Sequence, residues 1–284
     1  MSRAPVPGSI GESSRNIPQD ACKIPIYVIN VDAHTQRWEA IKSRAIELGM
    51  DLIRWPATPA AELDHAALAS GALADGVRVR DFPAASANAA ACGVSHIRLL
   101  REVVSSDTRW AVILEDDAVP LRRIPAEIGA WHLPVDADIV MLNDRSRIGC
   151  FEMTTHPFSY GQVVGGAGTE GYLISRRGAR KLLRILDPLK DPLDFQIYAH
   201  FTSIQSNDEP PFFWRLPRNL EADDVELTAY RIEPPLVGHA DGDTMIGGHR
   251  HPRARFYSRV LLGIGFHGEC LWLPGEMDPS DESP

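Results

Sequence analysis

The segment WAVILEDDAVPL, from Trp110 to Leu121, carries the clearest structural signal of the chain. Its first half, WAVIL, is a continuous apolar run with the length of a strand that is buried on both faces. Three carboxylates, Glu115, Asp116 and Asp117, follow directly. In α/β domains, ligands lie beyond the carboxyl ends of the parallel strands. We therefore expect a binding site at the end of this strand.

The three consecutive carboxylates repel one another, and each raises the pKa of its neighbours unless a cation compensates. A divalent metal ion is the usual compensation, and oxygen ligands suit Mg²⁺ or Mn²⁺ better than zinc. An exposed acidic turn that binds nothing is the alternative, and this segment alone does not decide between them.

Apolar runs and helical periodicities alternate on both sides of this strand, which predicts an α/β domain with a mainly parallel central sheet flanked by helices. Gly49 stands where the first helix would be capped at its C-terminus. The predicted strands are 24–31, 51–55, 110–114, 139–142 and 171–175, and the predicted helices are 35–48, 84–104 and 177–186.

The chain of 284 residues has a net charge of −9, which argues against a generic binder of nucleic acids or anionic membranes. Residues 1–22 and the acidic residues 274–284 are rich in Pro and Ser and are predicted to be disordered tails. Between them, residues 23–273 are expected to form one domain.

No apolar run has the length of a spanning helix or a signal peptide, so we expect a cytoplasmic protein, with at most peripheral membrane association.

Three further motifs permit more than one interpretation. The run Gly166 to Gly171 matches G-x-G-x-x-G but leads into a predicted strand, so it indicates a turn or a ligand-contacting loop rather than a dinucleotide fingerprint. Cys92, Ser95 and His96 lie within about one turn of the predicted helix but form no nucleophile elbow. The four cysteines lack C-x-x-C spacing, so neither a structural zinc site nor a disulfide scaffold is indicated. His239 begins a polar loop, HADGD, with side chains that could bind a metal or remain solvated.

In order and spacing, several segments resemble glycosyltransferase family 25, which includes lipooligosaccharide biosynthesis enzymes and the collagen galactosyltransferase domain. In this chain Ala89 replaces an acidic residue that is usual in the family. The matching segments are IPIYVINVDAHTQRW (24–38), ACGVSHIRLLREVV (91–104), WAVILEDDAVPL (110–121), GYLISRRGARKLL (171–183), PLDFQIY (192–198) and IEPPLVGHADGDT (232–244).

This resemblance implies a GT-A-type, Rossmann-like domain that uses a UDP-sugar as donor and Mn²⁺ or Mg²⁺ as cofactor. Glu115 and Asp117 resemble the metal-binding D-x-D pair, with His239 as a further ligand. Glu115 and Asp116 would approach the metal or the donor ribose. The remaining residues implied in binding the donor are Asn30, Asp32, Arg37, Ser95 and His96.

The resemblance also implies an inverting displacement, in which a carboxylate takes the proton of the acceptor hydroxyl. Asp194 is the first candidate for this base, and Glu170 and Asp191 are alternatives. The expected reaction transfers galactose or glucose to a glycan or glycosylated lipid in lipopolysaccharide or envelope polysaccharide synthesis, at the inner face of the cell membrane or in the cytoplasm. A protein acceptor, a catalytically silent sugar-nucleotide binding module and, more remotely, a dinucleotide oxidoreductase are the alternatives.

Overall fold

The computed structural model of the protein describes residues 23–63, 71–73, 75–80, 87–149, 156–166, 168–202 and 220–239. The predicted tails, 1–22 and 274–284, and the predicted domain end at 273 lie outside these residues. The strands are β1 (Ile26–Asn30), β2 (Ile53–Pro56), β3 (Trp110–Glu115), β4 (Ala118–Pro120), β5 (Ile139–Met141), β6 (Arg147–Ile148), β7 (Ser159–Gly165), β8 (Gly171–Ser175), β9 (Ala229–Glu233) and β10 (Val237–His239). The α-helices are α1 (Thr35–Glu47), α2 (Ala87–Ser105), α3 (Arg176–Ile185) and α4 (Leu193–Tyr198).

Eight strands form one mixed sheet in the order β2-β1-β3-β8-β5-β9-β7-β6, while β4 and β10 form a separate pair. Strand β1 pairs in parallel with β2 and β3, and β5 pairs in parallel with β9. Strand β8 is antiparallel to both of its neighbours, β3 and β5, and therefore separates the two parallel parts. Because β7 is also reversed, six of the eight strands run in one direction.

Helices cover both faces of this sheet, which confirms the predicted α/β class. Along β3 the side chains alternate, with Ile113 in the core under α2, α3 and α4, and with Val112 and Leu114 in the core under α1. Both faces are therefore apolar, which explains why the segment reads as an unbroken apolar run. Full burial of one such side chain contributes about 1.5–3 kcal/mol to the stability of the fold.

The predicted elements of the parallel framework are confirmed, each within about three residues of its expected bounds. Helix α1 buries Ile41 and Ala45 on one face and is followed by Gly49 with a φ of +64°, the left-handed conformation expected of a C-terminal cap. The sequence analysis missed strands β4, β6, β7, β9 and β10 and helix α4. Strand β7 alternates buried and partly exposed residues around two glycines, and β4, β6 and β10 have at most three residues, so none of them is an apolar run.

Among the described helices, none combines the length and apolar character that a membrane span requires.

Candidate active site

The polar and charged residues that could bind a ligand lie together at one edge of the sheet. Asn30 is the last residue of β1 and Glu115 the last residue of β3, so both lie at carboxyl ends of parallel strands. The reversed strand β8 begins at this same edge, immediately after Glu170. The Glu115 backbone N–H donates to the Glu170 carbonyl at 2.9 Å, which joins the two segments. The site therefore lies where the rule for open α/β sheets places it.

An open pocket of about 650 Å³, part of which is bulk solvent, lies at this edge. Its lining combines apolar side chains with the three carboxylates and with Cys92 and His96 of α2. Of the residues predicted to bind the donor, Asn30 and Asp32 are not in the lining, whereas the other five are. The lining comprises Ile29, Val31, His34, Arg37, Ala57, Thr58, Ala60, Asn88, Ala91, Cys92, Ser95, His96, Glu115, Asp116 and Asp117.

Asp116 is held by cationic and amide donors. Arg37 donates to one carboxylate oxygen at 2.9 Å, and the Asn30 amide donates to the other at 2.7 Å. The Asn30 amide oxygen in turn accepts two bonds from Arg54, at 2.9 and 2.6 Å. Asp116 and Asn30 thus tie β1 and the start of α1 to the turn after β3. Asp32 is joined to this network only through Arg54, at 3.1 Å, and its side chain is 79% exposed.

Asp117 is the carboxylate without compensation. Its Oδ1 atom is buried and has no hydrogen-bond partner among the described residues. Burial, together with the negative charge of Glu115, raises the pKa of Asp117 from 3.8 to about 6, although nearby His239 offsets part of this effect. Strand β10 pairs with β4 so that His239 lies opposite Ala118, the residue after Asp117. The His239 Nδ1 atom is likewise buried, and no described group bonds to it.

Glu115 has a different environment from Asp117. Its Oε1 atom accepts a bond from the Thr169 hydroxyl at 2.7 Å and lies 3.5 Å from the His96 Nε2 atom. Burial alone would raise the pKa of Glu115, but the His96 ring, the Thr169 hydroxyl and the charge of Arg145 outweigh burial and lower it. Glu115 therefore remains ionised, next to a carboxyl group that resists ionisation. Two carboxyl groups with opposite pKa shifts in one cleft are typical of a functional site.

Asp194 lies in the first turn of α4, close to the glycine-rich turn. It accepts backbone bonds from Gly168 at 3.1 Å and from Phe195 at 3.0 Å. Burial raises its pKa, and these two N–H donors and Arg145 offset part of the rise. Asp194 is not a lining residue of the pocket, but its charge contributes to the raised pKa of Cys92, which burial dominates.

Glu170, the first alternative base, is held more firmly. Its side chain is buried and accepts bonds from the Asn143 amide at 3.1 Å and from Arg145 at 3.2 Å. Burial raises its pKa, and Arg145 opposes the rise. Asp191, the second alternative, does not line the pocket; its backbone N–H lies 3.4 Å from the Gln196 side chain. Glu170 is thus joined to Glu115 through the backbone and Asp194 to the adjacent Gly168, and like Asp191 neither carboxylate lines the pocket.

The hydroxyl of Ser95 serves the packing of α2. It donates to the Ala91 carbonyl at 2.7 Å and accepts from the Thr58 backbone N–H at 2.8 Å. His96 is fully buried, and its Nδ1 atom lies 2.8 Å from the Tyr172 hydroxyl. Ala89, which stands where the family has an acidic residue, is buried in the core under α2.

The glycine-rich run Gly166 to Gly171 leads into β8 and not into a helix, so it lacks the context of a dinucleotide fingerprint. Gly168 has a φ of +92°, and a Cβ atom there would lie 2.2 Å from the Glu170 Oε2 atom. Glycine is therefore required at this turn both by the backbone and by the adjacent carboxylate.

The sequence analysis missed several residues that support the site. Asn143 and Arg145 follow β5 and hold Glu170, and Thr169 and Tyr172 hold Glu115 and His96. For Asn143 there was a signal, because it directly follows a predicted strand at the carboxyl edge. Thr169 and Tyr172 could not be found in this way, since they lie at this edge only because β8 runs antiparallel.

The sequence model of glycosyltransferase family 25 (LPS biosynthesis protein) matches residues 23–128. No curated protein sequence matches the chain.

The solved structures that resemble the chain do so weakly. A glycosyltransferase involved in glycosylation of the major capsid of PBCV-1 is 9% identical, with a TM-score of 0.39, and the match covers 78% of this chain and 94% of that one. The galactosyltransferase LgtC, in complex with donor and acceptor sugar analogues, is 12% identical, with a TM-score of 0.38 and coverages of 87% and 98%. The bifunctional glycosyltransferase WbbM is 12% identical, with a TM-score of 0.36 and coverages of 80% and 47%.

The family match contains β1 to β4 and the pocket residues that they carry, including Glu115 to Asp117. It therefore confirms the resemblance predicted from the sequence for the part of the chain that builds the pocket. Residues 23–128, which build the pocket, match the sequence model of glycosyltransferase family 25, and this match supports a glycosyltransferase activity.

Proposed function

We propose that the chain transfers a hexose, galactose or glucose, from a UDP-sugar to a hydroxyl group of a saccharide acceptor, with the help of a divalent metal and with inversion at the anomeric carbon. The observation that carries the proposal is a pair of buried, unpartnered atoms, Oδ1 of the pocket residue Asp117 and Nδ1 of His239, which lies opposite Ala118 on the paired strand. Buried polar atoms are normally hydrogen-bonded, so two such atoms on neighbouring segments support a ligand that completes the site.

The residues near Asp117 offer a donor set for a metal ion. Asp117 and Glu115 supply carboxylate oxygens and His239 supplies an imidazole nitrogen, and because these atoms are not all within 4.8 Å of one another, the side chains would have to move closer to hold one Mn²⁺ ion. The pKa of Asp117 is raised because burial and the charge of Glu115 outweigh the opposing effects of His239 and Arg37, and a bound cation would stabilise the ionised carboxylate. When bound, a divalent ion neutralises charge that develops on a nucleoside diphosphate leaving group.

The shape of the pocket supports a nucleotide donor. The lining includes the apolar residues Ile29, Val31, Ala57 and Ala60, which suit the face of a base or ribose. Arg37 also lines the pocket and donates to Asp116, which places a positive charge near the carboxylates. The chain is acidic overall, so a local device of this kind is necessary to bind a diphosphate.

Asp194 is the proposed general base for the acceptor hydroxyl, and Glu170 is the alternative. Both carboxyl groups have raised pKa values because of burial, which moves a carboxylate towards the range that suits proton transfer near neutral pH. Glu170 already accepts two side-chain bonds, whereas the bonds to Asp194 come from backbone N–H groups that fix it in position. An inverting displacement needs no covalent nucleophile, which agrees with the Ser95 hydroxyl being engaged in helix packing.

The proposed acceptor is a glycan or glycosylated lipid of lipopolysaccharide or envelope polysaccharide synthesis, in the cytoplasm or at the inner face of the cell membrane. The description of the matched family as an LPS biosynthesis protein supports it. A hydroxylysine-type protein acceptor is the alternative, because the family resemblance extends to collagen galactosyltransferases.

A thermal-shift panel tests the donor and the metal together. UDP, GDP, CMP-sugars and NAD are added with and without Mn²⁺, and we expect stabilisation by UDP that depends on Mn²⁺. Stabilisation by NAD instead would overturn the proposal. Slow release of hexose from the UDP-sugar without acceptor then distinguishes an enzyme from a catalytically silent binding module.

A further inference from the structure

A second group of side chains that could bind a metal lies in the same pocket, and it differs from the first in containing a thiol. The ligand atoms of Cys92, His96 and Glu115 all lie within 4.8 Å of one another. Cys92 and His96 are four residues apart on α2 and therefore share one face of the helix. Glu115 faces them from the end of β3, at 3.5 Å from His96 Nε2. The sequence could not show this group, because its third member is distant along the chain.

The imidazole of His96 supplies independent evidence for a ligand. His96 is fully buried, yet its Nε2 atom has no hydrogen-bond partner among the described groups. Its Nδ1 atom lies 2.8 Å from the Tyr172 hydroxyl, which can accept the Nδ1 proton. In that tautomer Nε2 carries a lone pair and can bind a metal beside Cys92 and Glu115, whereas in the other tautomer, without a metal, the Nε2–H faces Glu115 at 3.5 Å. Metal-bound histidines are typically oriented in this way, by a hydrogen bond at the nitrogen that does not bind the metal.

The ligand chemistry selects the metal. A thiolate, an imidazole and a carboxylate together suit Zn²⁺ or Co²⁺, whereas Mn²⁺ and Mg²⁺ prefer oxygen ligands. Ligands bound to one Zn²⁺ ion at about 2.0–2.3 Å lie roughly 3.3–3.8 Å apart, so the side chains must close by about 1 Å at most. All three residues line the pocket, so the site lies at the wall of the cleft.

We propose that Cys92, His96 and Glu115 form an exchangeable Zn²⁺ site inside the cleft, and that Zn²⁺ bound there inhibits the enzyme. As the Zn–S bond forms, the thiol proton passes to solvent, so that binding releases one proton. Glu115 is shared with the proposed Mn²⁺ site and cannot serve both ions fully. Zn²⁺ therefore displaces Mn²⁺ through competition for one carboxylate. The Zn²⁺ site stands without the proposed function, whereas the competition rests on it.

Co²⁺ is the probe for the site, because a thiolate bound to Co²⁺ gives an intense near-ultraviolet charge-transfer band. The test protein carries C22S, C150S and C270S, so that Cys92 is its one thiol. We expect a band that saturates at one Co²⁺ per chain and disappears on addition of Zn²⁺. In an otherwise wild-type chain, Cys92→Ser removes the band, and the matched Cys270→Ser retains it. Absence of the band in the Cys92-only protein, or its persistence in Cys92→Ser, would overturn the proposal.

Competition is measured separately, by titration of Mn²⁺ followed through the electron paramagnetic resonance of the free ion. One equivalent of Zn²⁺ should weaken the apparent Mn²⁺ affinity of the wild type by about tenfold or more, and that of Cys92→Ser by less than about twofold. An equal loss in both proteins would place the competing Zn²⁺ at Asp117 and His239 and refute the competition. If the chain binds no Mn²⁺ at all, the proposed function fails while the Co²⁺ band still decides the Zn²⁺ site.

Discussion

Replacement of Asp117 by Asn should stabilise the metal-free protein while removing its response to metal. In the folded protein the pKa of Asp117 is raised from 3.8 to about 6, a difference of about 2 units. At 1.36 kcal/mol per unit, ionised Asp117 costs the fold about 3 kcal/mol. The Asn side chain does not ionise but leaves a buried amide to be satisfied, so we expect a net gain of about 2 kcal/mol.

The stability gained by Asp117→Asn should increase with pH. Below about pH 4 the carboxyl group is protonated in both the folded and the unfolded chain, and the substitution changes little. Between about pH 4 and 6 the unfolded chain releases the proton and the folded chain retains it, so wild-type stability falls as the pH rises. Above about pH 6 the full cost of the charge is present, and the advantage of Asp117→Asn is largest.

Urea unfolding in EDTA, at pH 4.5 and pH 8, measures both values. Asp116→Asn is the matched control, because Arg37 and Asn30 stabilise the Asp116 carboxylate. This control should lose about 1–3 kcal/mol at pH 8. Added Mn²⁺ should stabilise the wild type and not Asp117→Asn. A stability gain for Asp117→Asn that is equal at both pH values, or a loss at pH 8, would refute the argument that an uncompensated charge lies at this position.

Three other substitutions test separate parts of the site. Asp194→Asn should lower the rate of transfer by about 10²–10⁴-fold with unchanged UDP binding, and unchanged turnover would remove Asp194 from the mechanism. His239→Ala should raise the Mn²⁺ concentration needed for half-maximal activity by about 10-fold or more. The fold should stay intact, since His239 lies on the short β10 strand. An unaltered Mn²⁺ dependence would contradict the role of His239 as a ligand. Gly168→Ala should lower the free energy of unfolding by about 1–3 kcal/mol, because the φ of +92° and the contact with Glu170 both disfavour a Cβ atom, and equal stability in urea would contradict this.

The central strands of the sheet could be predicted because they are buried on both faces, and a strand buried on both faces is an unbroken run of apolar residues in the sequence. The runs containing β1, β3 and β8 carry apolar residues at successive positions. Strand β7 exposes one of its faces in part, and its two glycines weaken the pattern, so its residues gave no such mark. The antiparallel direction of β8 could not be predicted from its sequence either, because the direction of a strand depends on its pairing with β3 and β5 and not on local periodicity.

The candidate site was predictable to the extent that it follows the ends of strands. The carboxylates Glu115 to Asp117 were found in this way, and His239, which the sequence analysis offered as a further metal ligand, lies opposite Ala118, the residue after Asp117. Asp32 was expected near the nucleotide, but its carboxylate is exposed and pairs with Arg54 away from the pocket lining. The cluster of Cys92, His96 and Glu115 could not be predicted, since the distance between α2 and β3 is a property of tertiary packing.

The position of β8 between β3 and β5 has a consequence for how the protein is made. A nascent chain that ends before Gly171 already contains β1, β2, β3 and β5, but it lacks the strand that joins β3 to β5. Until β8 emerges, the facing edges of β3 and β5 have unpaired backbone groups and are open to association with other chains. The same strand brings Glu170 and Thr169 to Glu115, so joining the sheet and completing the site are one folding event. Premature termination before this strand should therefore yield aggregation-prone chains rather than a small folded fragment.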